Sequence, residues 1–417
     1  MTASKKDFLM IGIKNETIKQ NQFDWPHWPA FSEQEIEAVS AVLRSNKVNY
    51  WTGEQCRIFE EEYANSVGVK YAVSLMNGTV ALEAALYALN IGEGDEVITT
   101  SRTFIASASA AVMRGATPVL ADVDPVSQNM TAKSIEAVLS KRTKAIIVVH
   151  LAGWPCEMDS INSLAKKHKL YVIEDCAQAH GALYQGKQVG GWGDVSAFSF
   201  CQDKIITTGG EGGMVTTNNK EIWEKIWAFK DHGKSYDAVY HREYSPGFRW
   251  VHESFGTNWR MTEMQAAIGR LQLKKLPTWI QIRQNNAAIL SEAFAKLAAL
   301  RLTQPPASIK HAYYKYYTFV RPELLKSGWN RDRIMQEILA RGVPCFTGIC
   351  SEIYREQAFI NANLQPQTRF PVAKMLGETS LMFLVHPTLT EDNMQEMAKI
   401  ITQVIKQASH ATEEVVI

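Results

Sequence analysis

KAIIVVHLAGWPCEMDSINSLAKKHKLYVIED, residues 144–175, reads as strand, helix, strand. KAIIVVHL and YVI are continuous apolar runs without alternation, the signature of strands covered on both faces. MDSINSLAKKHK between them has helical spacing. The same alternation runs outward over about residues 55–220. YAVSL (71–75) reads as a strand, and NGTVALEAALYALNIG (77–92) as a helix ending at its glycine. DEVITT (95–100) is a strand, FIASASAAVMRG (104–115) a helix, TPVLADV (117–123) a strand and SIEAVLSKR (134–142) a helix. Repeated β-α units predict an α/β protein whose mainly parallel sheet is covered by helices.

Beyond this core the pattern changes. Residues 233–260 have little periodicity and many aromatic side chains, which predicts a long functional loop. MTEMQAAIGRLQLKKLPTWIQIRQNNAAILSEAFAKL (261–297) is strongly helical, with Pro277 as an expected kink or break. Such a helix can join a large domain to a small one. The remainder mixes strand signals, YYKYYTFVR (313–321), with helices such as DNMQEMAKIITQVIKQ (392–407), as in an α+β unit. The expected division is an N-terminal arm over 1–30, a large domain over 31–280 and a small C-terminal domain over 281–417. The last residues, SHATEEVVI (409–417), are expected to fray.

Composition narrows the function. Lys plus Arg number 44 against 43 for Asp plus Glu, so the net charge is +1 and no global field draws nucleic acid or a membrane surface. No window approaches the apolar length of a spanning helix, and the polar start MTASKKDFLMIGIKNETIKQ lacks a signal-peptide core, so the expected location is cytoplasmic. The six cysteines, Cys56, Cys156, Cys176, Cys201, Cys345 and Cys350, form neither a disulfide framework nor a zinc spacing, and no metal is expected.

The chemistry concentrates in EDCAQAHGALYQGKQVGGWGDVSAFSFCQDKIITTGGEGGMVTTN (174–218). Glu174 and Asp175 end a strand, where open α/β sheets place ligand-binding groups. Lys204 stands between the end of the strand VSAFSF and a glycine cluster. A nucleophilic lysine must be partly desolvated to lose its proton, and glycines let backbone approach a planar cofactor. A carboxylate such as Asp175 can keep a pyridine nitrogen protonated and the ring an electron sink. On spacing alone, a surface lysine beside a glycine turn accounts for the same residues.

This segment closely resembles the DegT/DnrJ/EryC1/StrS family of nucleotide-sugar aminotransferases, which have the fold-type I architecture of aspartate aminotransferase. The likeness continues in chain order through NGTVALEAAL (77–86), GDEVITTSRTFIASASA (94–110), VVHLAGWPCEMDSI (148–161) and GTNWRMTEMQAAIGRLQLKKL (256–276), and spans roughly residues 30–400. It implies pyridoxal 5'-phosphate as cofactor, covalently attached through Lys204, which then moves protons on the bound substrate. Asp175 stands where the family contacts the pyridinium nitrogen, and Gln178 where it contacts the phenolic oxygen. Gly78, Thr79 and Ser199 align with the phosphate contacts, and Phe104 with the ring that stacks on the pyridine. Asn258 matches an asparagine that reaches the phosphate from the neighbouring subunit, which implies a homodimer with shared active sites.

The implied reaction takes nitrogen from an amino-acid donor, glutamate by analogy. It delivers that nitrogen to a keto-sugar substrate, expected to be a nucleotide-linked 4-keto-6-deoxyhexose in the assembly of a bacterial surface polysaccharide or glycan. Amination at C-3, or of an eight-carbon sugar, is the alternative. A sugar dehydratase is disfavoured because such relatives carry histidine in place of the lysine. A regulator on the same fold would need an appended DNA-binding module. His180, His232, Arg260 and His386 are candidates for substrate contact, with structural roles open for each; Arg260 suits an acidic substrate group or a structural carboxylate equally. Two departures stand out. The family's TGEGG is expanded to TGGEGG, and CQD precedes the lysine where an aromatic-containing piece is commoner.

Overall fold

The structure, a computed structural model, describes residues 25–410. Most of the expected N-terminal arm, residues 1–24, and the tail 411–417 lie outside the described residues. The central element is a seven-stranded sheet. From one edge to the other its strands are Tyr71–Leu75, Gly213–Thr217, Val195–Ser199, Tyr171–Asp175, Thr143–Val149, Glu96–Thr100 and Thr117–Ala121. All neighbouring pairs are parallel except those made by Gly213–Thr217, which runs antiparallel to both of its neighbours. The sheet is thus mainly parallel and mixed.

The apolar runs are covered on both sides, as their lack of alternation requires. Ala145, Ile147 and Ile173 pack with Ala81, Ala85 and Leu86 of the helix Gly78–Ala88. Their alternate neighbours Ile146, Val148 and Val172 pack with Ile161, Leu164 and Ala165 of the helix Met158–His168. Successive side chains of a strand point to opposite faces, so each run feeds two cores. Burial of a Val, Leu or Ile contributes about 1.5–3 kcal/mol, which makes these paired cores the main support of the sheet.

That alternation also separates the two carboxylates that end the strand Tyr171–Asp175. Glu174 is fully buried. It accepts hydrogen bonds from the amides of Gly190 (2.9 Å), Trp192 (2.7 Å) and Gly193 (2.8 Å), from Ser196 Oγ (3.0 Å) and from His150 Nε2 (3.0 Å). His150 is the donor in the last pair, because its Nδ1 accepts from the Cys156 amide (2.9 Å). Burial pushes the Glu174 carboxyl up, but the His150 bond and these amides outweigh it and hold the group below its ordinary range. Asp175, one residue on, turns to the other face.

Three local expectations change. The stretch 134–142 is helical only within Ala132–Glu136, because the Ser140 amide donates to Thr143 Oγ1 (3.0 Å) and Ser140 Oγ accepts from the Arg142 amide (3.0 Å), a local alternative to helix. The helix Gly78–Ala88 stops before Gly92, and Asn90 takes the left-handed conformation (φ 56°). Pro277 does not break its helix, which runs from Glu263 to Phe294 behind a capping box of Thr262 and Gln265. The far end of that helix, Ala287, Leu290 and Phe294, belongs to a second core. There it meets an antiparallel sheet of Leu300–Arg301, Tyr316–Val320 and Ser380–Phe383 and the helices Arg331–Ala340 and Glu391–Ala408.

Glu174→Ala should leave five donors without their acceptor, three of them buried (Gly190, Ser196 and His150) and two half-buried (Trp192 and Gly193). At about 1–3 kcal/mol for each buried donor, the expected loss is about 3 kcal/mol or more, read from chemical denaturation or from failure to obtain folded protein. A loss below about 1 kcal/mol would contradict this assignment.

Candidate active site

Leu75, Thr100, Val149, Asp175 and Ser199 are the last residues of their strands, so the loops that follow them share one end of the sheet. Open parallel sheets place ligands there. Asp175 is buried among neutral donors. Ser107 Oγ, on the helix Ala106–Met113, donates to Asp175 Oδ2 (2.7 Å), and the Ala177 amide donates to Oδ1 (3.2 Å). Since the Ser107 proton goes to Asp175, Thr103 Oγ1 is the donor in its 3.0 Å contact with Ser107. Burial pushes the Asp175 carboxyl up, against those hydrogen bonds and the charge of Lys204. A cation placed on this carboxyl would hold it ionised.

Gln178 is fixed by the Ala152 amide, which donates to its Oε1 (2.8 Å). The amide oxygen therefore faces backbone and the nitrogen is the donor left for a ligand. Gly78 opens a helix capped by Asn77, whose side chain accepts from the Val80 amide (3.0 Å). Among the described residues the amides of Gly78 and Thr79 have no acceptor, and Thr79 is exposed. A Cβ on Gly78 would lie 2.6 Å from Ser199 Cβ, and one on Gly213 would lie 2.3 Å from the Asn77 carbonyl oxygen. Only glycine lets these three strand ends close into a cradle of free amides at a helix start, which suits an anion. Phe104 is 55% exposed at the turn before the Ala106–Met113 helix.

Lys204 lies at the edge of the same group. Its Nζ is 3.4 Å from Tyr314 Oη and 3.6 Å from Asp203 Oδ1, and its carbonyl accepts from Trp28 Nε1 (2.8 Å). The turn beyond it is made by two left-handed glycines, Gly209 (φ 89°) and Gly210 (φ 132°), so the extra glycine of TGGEGG is absorbed locally.

The remaining candidates divide. Burial removes His180 from substrate: its Nε2 donates to the Ser199 carbonyl (2.9 Å), its Nδ1 accepts from Tyr63 Oη (2.8 Å), and it is fully enclosed. It thus braces the strand end that carries Ser199. Arg260 is committed to buried Asp231, which also accepts from Trp51 Nε1 (2.6 Å) and Lys234 Nζ (3.1 Å), so the structural carboxylate is its partner. His386 is mostly buried, bonded to Thr388 Oγ1 (2.8 Å) and stacked on Trp28. His232 is exposed, in a left-handed turn (φ 59°). Asn258 is exposed, with its backbone bridged to Asp231, and no hydrogen bond joins it to the Lys204–Asp175 group among the described residues. The loop 233–260 contains one short helix, Tyr236–Tyr240, and leaves Phe248, Trp250 and Phe255 exposed.

His150, Glu174 and Cys176 come together in metal-ligand fashion, but the Glu174 oxygens and both His150 nitrogens are already hydrogen-bonded. Reading the sequence missed Ser107, Tyr314, Lys315 and Trp28. Tyr314 and Lys315 lie about 110 residues beyond Lys204 in YYKYY, which signalled only a strand. Asp203 was visible as an unusual neighbour of the lysine.

A family model described as the DegT/DnrJ/EryC1/StrS aminotransferase family matches residues 29–402. The chain belongs to this aminotransferase family. An aminotransferase structure from Psychrobacter cryohalolentis is 57% identical, with a TM-score of 0.91, and the alignment covers 92% of this chain and 100% of that one. GDP-perosamine synthase of Caulobacter vibrioides is 37% identical over 352 residues, covering 83% of this chain and 89% of that protein. The UDP-N-acetyl-3-dehydro-alpha-D-glucosamine 3-aminotransferase of Acidithiobacillus ferrooxidans is 35% identical over 379 residues, covering 91% and 96%. The protein is an aminotransferase with the fold-type I architecture, and members of its family are pyridoxal phosphate enzymes. No described helix is long and apolar enough to cross a membrane.

Burial pushes His180 down to about 3, so it stays neutral in the folded protein. Unfolding restores an ordinary value of about 6.5, and the unfolded chain then binds a proton that the folded one does not. The contribution of His180 to stability is therefore present above about pH 6.5 and is lost towards pH 3, at about 1.4 kcal/mol per pH unit. Between pH 7.5 and 5.5, His180→Gln should lose about 1 kcal/mol less stability than the wild type in urea titrations. Equal losses would contradict a buried neutral histidine.

Proposed function

We propose that this protein binds pyridoxal 5'-phosphate and transfers an amino group from an amino acid, glutamate by family analogy, to a keto sugar carried on a nucleotide. The observation that carries the reading is the convergence of Lys204, Asp175 and the Gly78–Ser199 cradle at one end of the sheet, with the Lys204 charge acting on Asp175. The residues fit the cofactor. Asp175 is a buried carboxyl surrounded by neutral donors and suits a ring cation, and Ser107 orients it. The amides of Gly78 and Thr79, the Thr79 hydroxyl and Ser199 suit a phosphate. Gln178 offers its amide nitrogen to the phenolic oxygen, and exposed Phe104 offers a face for stacking.

When bound, the cofactor supplies an electron sink for the carbon that loses or gains a proton. The chain's own part is to hold and move that proton. Lys204 Nζ provides the attachment point and, once released, the base and acid of each half-reaction. Asn258, exposed beside Asp231, supports the homodimer reading, in which it serves the partner's phosphate site. His232 is kept as a candidate for substrate contact because it is exposed. Cytoplasmic location belongs to the same proposal, since the family's members are soluble biosynthetic enzymes.

The preferred substrate is a nucleotide-linked 4-keto-6-deoxyhexose destined for surface polysaccharide or glycan. Amination at C-3 is a second reading, favoured by the name of the Acidithiobacillus relative.

With glutamate and a panel of keto-sugar nucleotides, the cofactor-loaded protein should release 2-oxoglutarate, and Lys204→Ala should lower that rate by at least about 100-fold. Release undiminished in the variant would overturn the assignment. Asp175→Asn separates cofactor binding from folding. Loss of a charged hydrogen bond of about 1.5–3 kcal/mol should weaken cofactor affinity about 10- to 100-fold. The folded-state carboxyl is raised, so its ionised form opposes folding at neutral pH, and the cofactor-free variant should unfold at an unchanged or higher urea concentration. Unchanged affinity would remove Asp175 from the cofactor site.

A further inference from the structure

Lys204 does not stand beside one acidic group alone; it shares that group with a second lysine. Asp203 Oδ1 is 3.6 Å from Lys204 Nζ, and its Oδ2 is 3.5 Å from Lys315 Nζ. Tyr314 Oη donates to the same Oδ2 (2.5 Å) and lies 3.4 Å from Lys204 Nζ. Because the single Tyr314 proton goes to Asp203, the phenol oxygen is an acceptor towards Lys204. The ammonium of Lys204 is thus held from two sides, by the carboxylate and by a phenol that the same carboxylate orients. Both lysines also lie near the Tyr314 ring, at 5.1 and 4.7 Å from its centroid.

Beyond Asp175, which feels the Lys204 charge without contacting it, the other charged neighbours are mostly cations. Arg283, from the helix Glu263–Phe294, is buried, stacked 5.1 Å over Trp28, and has two guanidinium nitrogens without a hydrogen-bond acceptor among the described residues. His386 also stacks on Trp28 and is kept neutral by burial and by the nearby cations Arg283 and Lys315. Among the described residues, Asp203 is the one carboxylate paired with either lysine. Burial alone would push Asp203 up, but Lys204, Lys315 and the Tyr314 hydrogen bond hold it below its ordinary range and ionised. Burial pushes Lys315 down to about 8, with Asp203 opposing that fall and Arg283 and Lys204 adding to it. Tyr314 is raised well above its ordinary value by burial and by Asp203, so it keeps its proton.

We propose that Asp203 is a positioning residue that holds the Lys204 ammonium in place against Tyr314, and that Lys315 competes for the same carboxylate and so sets how readily Lys204 gives up its proton. This rests on Lys204 being the cofactor-binding amine. The proton leaves Lys204 Nζ for solvent, while Asp203 stays ionised and Tyr314 stays protonated. Lys315 and Arg283 favour that departure by repulsion, and Asp203 resists it. The amine is thus kept in register without being locked in its charged, unreactive form.

The test uses the full-length cofactor-free protein and follows capture of pyridoxal phosphate, as growth of a visible absorption band, across pH. Capture needs the uncharged amine. Asp203→Asn removes the carboxylate in contact with Lys204 and leaves the repulsion of Lys315 and Arg283, with only the more distant Asp175 still attracting, so its capture profile should move to lower pH by about 1–3 units. Lys315→Met leaves Asp203 wholly to Lys204, so its profile should move the opposite way, to higher pH, and Lys315→Arg should restore the wild-type profile. A general loss of packing would slow capture without shifting the two variants in opposite directions, and circular dichroism reports folding separately. If wild type captures the cofactor but both profiles stay at the wild-type pH, or move together, the proposal is overturned. If Asp203→Asn fails to fold, the direction of the Lys315→Met shift decides it. Wild-type protein that captures nothing would instead overturn the assignment of Lys204 itself.

Discussion

The structure turns on how one strand ends. Glu174 and Asp175 are adjacent, yet the alternation of a β-strand sends them to opposite faces of the sheet. Glu174 gathers five donors from His150 and from residues 190–196, and so ties down the connection that leads into the strand Val195–Ser199. That strand presents Ser199 to Gly78 and leads to Lys204. Asp175 is left on the other face, among neutral donors. One carboxylate is spent on folding and its neighbour stays available for chemistry, and the second depends on the first to keep the surrounding loops in register.

Much of the fold was legible because the central strands are apolar on both faces. Runs such as AIIVV and YVI allow no half-exposed strand, and the helical stretches between them force parallel neighbours. Local polar competition was harder to read. Ser140 and Thr143 satisfy each other's backbone and cut short a stretch whose propensity favours helix. Pro277 removes one hydrogen bond from a helix of 32 residues, which packing at both of its ends sustains.

The site was legible where its residues are close in sequence. Asp175, Gln178, Ser199 and Lys204 fall within thirty positions, and spacing with family likeness brought them together. Burial was not legible. His180 sits in the same stretch but serves as a brace between Tyr63 and the Ser199 carbonyl. Arg260 follows Asn258 by two residues but is held by a buried aspartate. Of the groups around Lys204, Asp203 directly precedes it in sequence, but Trp28, which donates to its carbonyl, and the Tyr314–Lys315 pair beside its amine come from distant places, and only the fold assembles them.

The central claim is that one amine, Lys204 Nζ, carries the cofactor. Reduction of the cofactor-loaded protein with borohydride, followed by peptide mass mapping, tests it directly. The account predicts a single reduced phosphopyridoxyl adduct on the peptide containing Lys204, with none on Lys315. An adduct confined to another lysine, or no adduct in protein that has bound the cofactor, would contradict it.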